Sequence, residues 1–316
     1  MRQQSGPRQV LSVVSPMWNE GESADAFLAE LTRCVDAIED IDTEILIVDD
    51  GSTDATGDVL REWAERRSDL TVVTLSRNFG HQAAITAGVF AATGDAVVIL
   101  DSDLQDPPEL IAEMVRQWRA GADVVYAVRR ERQGETWFKR ATASAYYRIL
   151  RWLSDTDIPA DTGDFRLVTR EVVEALRSMP ERDRYMRGMV AWVGFTQVPV
   201  HFDRSERHAG RTKYSLGRMV KLATAGVVGF SDKPLYVAIG LGFAVMALAA
   251  LGLLYVVLSI AFGWGDLVRG WASVIISVMF FAAVQLIFLG VIGIYVSRVF
   301  VESKARPLYI VRKPRG

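Results

Sequence analysis

A chain of 316 residues with a formal charge of -2 lacks the global basic footprint that nucleic-acid binding favours. Half of its residues are hydrophobic while 23% are charged, so the apolar residues must be concentrated in part of the chain. The single cysteine, Cys34, excludes an internal disulfide and a multi-thiolate metal site, and suits a reducing compartment.

The opening MRQQSGPRQV has no apolar core of a signal peptide, so the first domain is expected to stay in the cytoplasm. Strands and helices then alternate. Val10 to Ser15 reads as a strand, Phe27, Leu31, Val35 and Ile38 mark a helix, and Glu44 to Val48 a second strand before a helix from Ala55 to Arg66. Thr71 to Leu75, a helix from His81 to Ala91, the run Val97 to Leu100, a helix from Pro108 to Ala120 and Asp123 to Val128 continue the series. This alternation predicts an α/β domain around a mainly parallel sheet.

After Val128 aromatic residues alternate with Lys and Arg through Trp137, Phe138, Tyr146, Tyr147 and Trp152. The pattern fits either an amphipathic helix packed on the sheet or one lying at a membrane surface. A second such stretch runs from Ser215 to Phe230. No side chain is charged from Leu235 to Gly265, nor from Gly270 to Ser297. Each run exceeds the roughly 20 apolar residues that span a bilayer, which predicts a two-helix transmembrane hairpin turning at Asp266 and Arg269. Basic residues flank both outer ends, so the positive-inside rule places the large domain and both termini in the cytoplasm, the protein being multi-pass in the plasma membrane. The expected boundaries are a catalytic domain at 1–213, an interfacial helix at 214–233, spans at about 235–262 and 270–297 within 234–298, and a basic tail at 299–316.

Polar motifs sit where four strands end. The first is followed by Pro16, Asn19 and Glu20, the second by Asp49, Asp50 and Ser52, the third by Arg77, Asn78, Gly80 and His81, and the fourth by Asp101 and Asp103. Ligands bind at that edge of an open α/β sheet. Asp-x-Asp holds a divalent cation shared with a diphosphate or makes an ordinary turn, and the residues alone leave both open. Like charges at Asp49 and Asp50 are expected to need hydrogen bonds from a ligand. No G-x-G-x-x-G and no Walker A sequence is present.

Together PMWNEGES, VDDGSTDAT, LSRNFGHQAAITAG, LDSDLQDPPEL and DTGDFRLVTR resemble glycosyltransferase family 2 enzymes of the GT-A fold. With FKRATASAYYRIL, RHAGRTKYSLGRM and the hairpin, the chain resembles the polyprenyl-phosphate glycosyltransferases, the bactoprenol glucosyltransferases most of all. That resemblance implies that Pro16, Asn19, Glu20, Asp49 and Ser52 surround the base and ribose of a nucleotide-sugar, with Arg77 near its diphosphate. It implies that Asp103 is the direct ligand of Mg²⁺ or Mn²⁺, that Asp101 lies nearer the ribose or a metal-bound water, and that Gln105 and Asp106 face the donor sugar. Asp164 falls where inverting members place a catalytic carboxylate.

A lipid phosphate, with a second pKa near ~6, is already largely ionised at neutral pH, so Asp164 is expected to orient the sugar rather than to remove a proton. By composition the basic loop DRSERHAGRTKYS fits a solvated loop or positive-inside charge as well as a phosphate site; the resemblance implies that Arg207, Arg211 and Lys213 bind the acceptor phosphate, with Arg129 as a further cation. The Q-x-x-R-W element of processive synthases is absent, favouring a single transfer. The expected reaction moves glucose from UDP-glucose to undecaprenyl phosphate at the bilayer. The alternatives are a mannose synthase using GDP-mannose, a UDP-amino-arabinose transferase, a non-catalytic nucleotide-sugar-binding protein and a lipid translocase. A homo-oligomer stays open.

Overall fold

The hydrophobic runs at the start of the chain form β1 (Gln9–Met17), β2 (Ile41–Asp49), β3 (Leu70–Thr74) and β4 (Ala96–Ile99), joined by α1 (Ala24–Asp36), α2 (Thr56–Arg66) and α3 (His81–Ala91). In this computed structural model the described residues are 8–129, 162–182, 184–202, 233–262 and 271–313. They continue with α4 (Leu110–Arg119), β5 (Val124–Arg129), β6 (Thr162–Thr169), α5 (Arg170–Ser178), α6 (Met186–Trp192) and β7 (Gln197–Phe202). Two long helices follow, α7 (Lys233–Phe262) and α8 (Trp271–Ser303). The chain divides into two compact units, one holding residues 1–148, 156–215 and 306–316, the other residues 149–155 and 216–305.

In the first unit a seven-stranded sheet has the order β3-β2-β1-β4-β6-β5-β7. β1 pairs in parallel with β2 and β4, β2 with β3, and β5 with β7, whereas β6 runs antiparallel to both β4 and β5. The mainly parallel α/β sheet expected from the sequence is therefore present, with one reversed strand in its middle. That strand comes from the segment that includes DTGDFRL.

Parallel pairing with helices on both faces explains why β4 is buried along its whole length. On one face Phe27, Leu28, Leu31 and Val35 of α1 are sealed against the sheet with Leu60 of α2, each such side chain contributing about 2 kcal/mol of apolar burial. On the other face α3 is buried almost all round, from Ala83 to Val89. Gly88 makes this possible: a Cβ there would stand 2.2 Å from Val14 Cγ1 and 2.9 Å from Val48 Cγ2. The helix thus lies directly on β1 and β2, with His81 at its N-terminal end beside the strand ends.

The second unit is described by α7 and α8, helices of 30 and 33 residues. Their apolar side chains are solvent-facing, with Phe243, Leu251, Phe280 and Leu286 all more than half exposed. Among the described residues Phe280–Ser303 is long and apolar enough to cross a membrane, 24 residues with none of the window buried, and Ala238–Gly252 is a shorter apolar stretch. At about 1.5 Å per residue the longer segment reaches about 36 Å, more than the ~30 Å of a bilayer's hydrocarbon core. α8 continues to Ser303, past the expected end of the second span at 297, and residues 306–316 belong to the first unit.

The aromatic and basic stretch from Trp137 to Trp152, the stretch Ser215 to Phe230 and the turn at Asp266 and Arg269 lie outside the described residues. So do Arg207, Arg211 and Lys213.

Candidate active site

Because β1 to β4 are parallel, their C-terminal ends open on one edge of the sheet. The antiparallel β6 brings its early residues to the same edge. Ile99 pairs with Arg166, which sets Asp101, two residues after the first, near Asp164, two residues before the second. Sequence spacing alone does not show this, since the two aspartates are joined only through a non-local strand pairing.

The loops after β1 and β2 hold one another. Asn19, at a φ of 54°, donates its backbone N–H to Ser52 Oγ at 3.0 Å and accepts from the Thr53 N–H through Oδ1 at 2.9 Å. The Glu20 N–H donates to Thr56 Oγ1 at 2.9 Å, and its carboxylate accepts from Ser23 Oγ at 2.7 Å. Pro16 is buried, and its carbonyl accepts from Ser102 Oγ at 3.2 Å.

The two adjacent carboxylates at the end of β2, Asp49 and Asp50, differ from the expectation that a ligand is needed to satisfy them. Asp49 accepts from the Ser52 N–H at 2.8 Å, and Asp50 accepts from the N–H groups of Phe79 and Gly80 at 2.7 and 2.9 Å. Backbone donors therefore satisfy both, and Asp50 ties the third loop to the second. Gly51 sits between them at a φ of 68°, a conformation that favours glycine, and a Cβ on it would lie 2.4 Å from the Arg77 backbone carbonyl carbon.

These loops enclose a cavity of about 400 Å³ lined by Trp18, Asp49, Ser52, Thr53, Ser76, Arg77, Asn78 and Arg312, with Gly51, Thr74 and Leu75 in its wall. Of the expected donor-binding residues, Asp49, Ser52 and Arg77 line it, while Asn19, Glu20 and Pro16 build the loops around it. The Arg77 guanidinium donates to the Asn78 carbonyl at 3.1 Å and lies 4.3 Å from the centre of the Phe79 ring.

A second cluster forms around Asp164, which is buried. Arg187 of α6 donates from Nε to Asp164 Oδ1 at 2.7 Å and from its terminal nitrogen to Oδ2 at 3.1 Å. His81 Nε2 is 3.1 Å from Asp164 Oδ2 and 3.4 Å from Asp101 Oδ1. Gln82 reaches Asp164 Oδ2 at 3.4 Å and accepts from the Met186 N–H at 2.9 Å, fastening α6 to α3. Potential ligand atoms of His81, Asp101 and Asp164 all fall within 4.8 Å of one another.

Charge governs this cluster. Burial alone would raise the pKa of Asp164, but hydrogen bonds from His81 and Arg187 and the charges of Arg187 and Arg166 outweigh it and hold the carboxyl far below its ordinary range. Burial pushes Asp101 up to about 6, opposed by His81 and reinforced by the neighbouring carboxylates Asp164, Asp106 and Asp103. Burial would lower His81, yet the hydrogen bond with Asp164 and the charges of Asp101 and Asp164 leave it raised. Arg166 is fully buried, which brings it down to about 10. Among the described residues its Nε has no hydrogen-bond partner, and the buried Oδ1 of Asp101 has none either, its 3.4 Å approach to His81 being an ion-pair contact only.

The other residues expected at the sugar and metal lie on the loop after β4. Asp103 is exposed, accepts from the Gln105 N–H at 3.0 Å and stands outside the His81, Asp101 and Asp164 group. Asp106 is buried. Leu104 between them has a φ of 53°, a backbone strain of about 1–3 kcal/mol of the kind that persists at functional loops. Arg129 ends β5, paired with Phe202 of β7.

His81, Arg187, Arg166 and Arg312 are the site residues that sequence reasoning did not select. His81 stands among the strand-end polar residues without a role of its own, Arg166 lies within DTGDFRLVTR without being singled out, and Arg187 carries no local motif.

The Glycosyl transferase family 2 model matches residues 12–177. The chain is 44% identical to an uncharacterized glycosyltransferase, YkcC, of Bacillus subtilis (strain 168), covering 96% of this chain and 94% of that protein. It is 38% identical to a prophage bactoprenol glucosyl transferase homolog of Escherichia coli (strain K12), over 96% and 98% of the two chains. It is 39% identical to the bactoprenol glucosyl transferase of Shigella phage SfV, over 96% and 99%. Among solved structures it is similar to a mannosyltransferase of Pyrobaculum calidifontis in complex with GDP-Man and Mn²⁺, at 19% identity, a TM-score of 0.48 and coverage of 94% of this chain and 86% of that one. With the family match spanning more than half of its length, and relatives this similar along nearly all of it, the chain belongs to glycosyltransferase family 2.

Proposed function

We propose that this enzyme transfers one glucose from UDP-glucose to undecaprenyl phosphate at a membrane surface, with inversion at the anomeric carbon. The observation that carries the reading is the identity of 38 to 39% with bactoprenol glucosyl transferases over nearly the full length of both partners. At 96% coverage the match takes in residues of α7 and α8 as well as those of the sheet unit.

The electrostatics of Asp164 support direct attack by an acceptor that is already ionised. A general base works best with a pKa near the operating pH, whereas this carboxylate is stabilised as an anion by His81 and Arg187. Its assigned work is to hold Arg187 and the sugar in place and to favour positive character at the anomeric carbon. Asp49, Ser52 and Arg77 would take the nucleotide in the cavity, with Pro16, Asn19 and Glu20 shaping its loops, and Gln105 and Asp106 would meet the sugar. Asp101 and Asp103 would hold Mg²⁺ or Mn²⁺: the buried Oδ1 of Asp101, without a hydrogen-bond donor among the described residues, suits a hard cation. When bound, that cation neutralises charge on the departing diphosphate.

The acceptor phosphate would be met by Arg207, Arg211 and Lys213, with Arg129 at the end of its strand. α7 and α8 would form a hairpin of two spans in the plasma membrane, preceded by an interfacial helix at 214–233, with the catalytic unit and both termini on the cytoplasmic side. The uncharged run from Leu235 to Gly265 supports the first of these spans.

The test is a donor panel. Full-length enzyme in nanodiscs with undecaprenyl phosphate is given labelled UDP-glucose, UDP-galactose and GDP-mannose, with and without EDTA. Lipid labelling from UDP-glucose, abolished by EDTA and restored by Mg²⁺ or Mn²⁺, is expected. Preferential labelling from GDP-mannose, or donor hydrolysis without a lipid product, would overturn the reading.

A further inference from the structure

Residues 310–312 pair with the end of β3 through their main chain. The Ile310 carbonyl accepts from the Ser76 N–H at 2.8 Å, the Arg312 N–H donates to the Thr74 carbonyl at 2.8 Å, and Leu75 and Val311 form an antiparallel bridge between them. The segment thus adds a short pairing at the end of β3, the edge of the sheet, and covers backbone groups that an edge strand leaves open. Farther back, Arg182 donates to the Arg306 carbonyl. The chain leaves the catalytic sheet after β7, forms α7 and α8, and then returns to the opposite edge.

That return delivers a cation. Arg312 lines the same cavity of about 400 Å³ as Trp18, Asp49, Ser52 and Arg77. The volume lies within the range of small-molecule sites. Arg312 is exposed, and its guanidinium makes no ion pair or hydrogen bond among the described residues. Arg77 faces the same space, the partners of its guanidinium among the described residues being the Asn78 carbonyl and the Phe79 ring. Two guanidinium groups that have no carboxylate partner among the described residues, an exposed indole and a row of hydroxyl and amide groups match one ligand chemistry. A flat base can stack on an aromatic or guanidinium face, hydroxyls can pair with a ribose, and a planar guanidinium binds phosphate through paired N–H groups.

We propose that Arg312 is a binding residue for the nucleoside diphosphate part of the donor, carried into the site by the pairing of the C-terminal segment with β3. The inference rests on the nucleotide-sugar reading above and adds to it that the donor site is incomplete until the chain following the membrane helices has folded back. Substitution at Arg312 leaves that pairing intact, because the segment pairs through its backbone.

The experiment measures UDP and GDP binding by calorimetry, and steady-state kinetics, on the full chain in nanodiscs. Arg312→Ala is expected to weaken UDP binding and raise the donor KM by about tenfold or more, the scale of losing a charge-assisted bond, with the acceptor KM and the melting temperature unchanged. Lys313→Ala, one residue along and outside the cavity lining, is expected to bind as wild type does. Should Arg312→Ala fail to fold, Arg312→Gln decides: weakened UDP binding at a wild-type melting temperature supports the proposal, and wild-type affinity overturns it. Arg312→Ala with undiminished UDP affinity, or with only its acceptor KM raised, also overturns it. Wild-type enzyme that binds neither UDP nor GDP would instead bring down the nucleotide-sugar reading itself, and Arg312's assignment with it.

Discussion

Replacing Asp164 with Asn keeps the shape of the side chain and removes its charge. Asp164 now takes two bonds from Arg187, at 2.7 and 3.1 Å, and a contact of 3.1 Å with His81. An amide retains one acceptor, so one Arg187 bond survives in weakened form, while the other and the His81 contact meet an NH₂ group. Hydrogen bonds to charged groups contribute about 1.5–3 kcal/mol each, which makes a loss of about 3 kcal/mol reasonable. At about 1.4 kcal/mol per factor of ten, kcat should fall about 100-fold. Arg187, partly buried, also loses its counter-charge, so the melting temperature should drop.

The assay is lipid-product formation from UDP-glucose by wild type and variant between about pH 6 and 8, where a base would reveal its titration. The carboxyl of Asp164 is held far below that window, so the ratio of the two rates should stay flat. A ratio that grows with pH would mean that Asp164 titrates there and accepts a proton. A loss of less than about fivefold, roughly 1 kcal/mol, would mean that its charge does little for the reaction.

Other outcomes follow from the same geometry. Gly51→Ala should lower the melting temperature and weaken UDP binding together, because the methyl group meets the Arg77 backbone at a positive φ; the strain is about 1–3 kcal/mol or more, and differential scanning fluorimetry with calorimetry would read both. Cys34 is buried and its thiol is pushed up to about 11, first by burial and then by the charge of Glu109; it should react with a thiol reagent at pH ~8 far more slowly in the native protein than after denaturation.

The hydrogen bonds of Arg67 hold the carboxyls of Asp36 and Asp69 below their ordinary values. Depressed carboxyl pKa values contribute stability that is present above about pH 4 and lost as pH falls through the folded-state values. Arg67→Ala should therefore cost about 1 kcal/mol at neutral pH and make the melting temperature less sensitive to acid below about pH 4.

Local pattern carried the first half of the fold. The buried runs from Val10, Glu44, Thr71 and Val97, and the helices between them, stand where the sequence places them, because each is specified by its own apolar periodicity. β6 was legible only as a motif, since its strand character comes from insertion between β4 and β5, partners far from it in sequence. The same holds for the site. Asp101 and Asp164 could be named from their motifs, but their meeting at His81 depends on the Ile99 and Arg166 register, and no periodicity marks Arg187. Asp50 looked like a carboxylate in want of a ligand because its partners, the N–H groups of Phe79 and Gly80, are backbone. Arg312 was hidden for a related reason: its segment joins β3 by main-chain bonds that leave no side-chain signature.

The central claim is a single inverting transfer of glucose to a prenyl phosphate. Its most direct test is the structure of the lipid formed from α-linked UDP-glucose and undecaprenyl phosphate, established by mass spectrometry and by the anomeric coupling in proton NMR. One hexose in β linkage to the phosphate, with UDP released in equal amount, is the predicted product. An α-linked product, a chain of several sugars, or free glucose without a lipid-linked sugar would contradict the account.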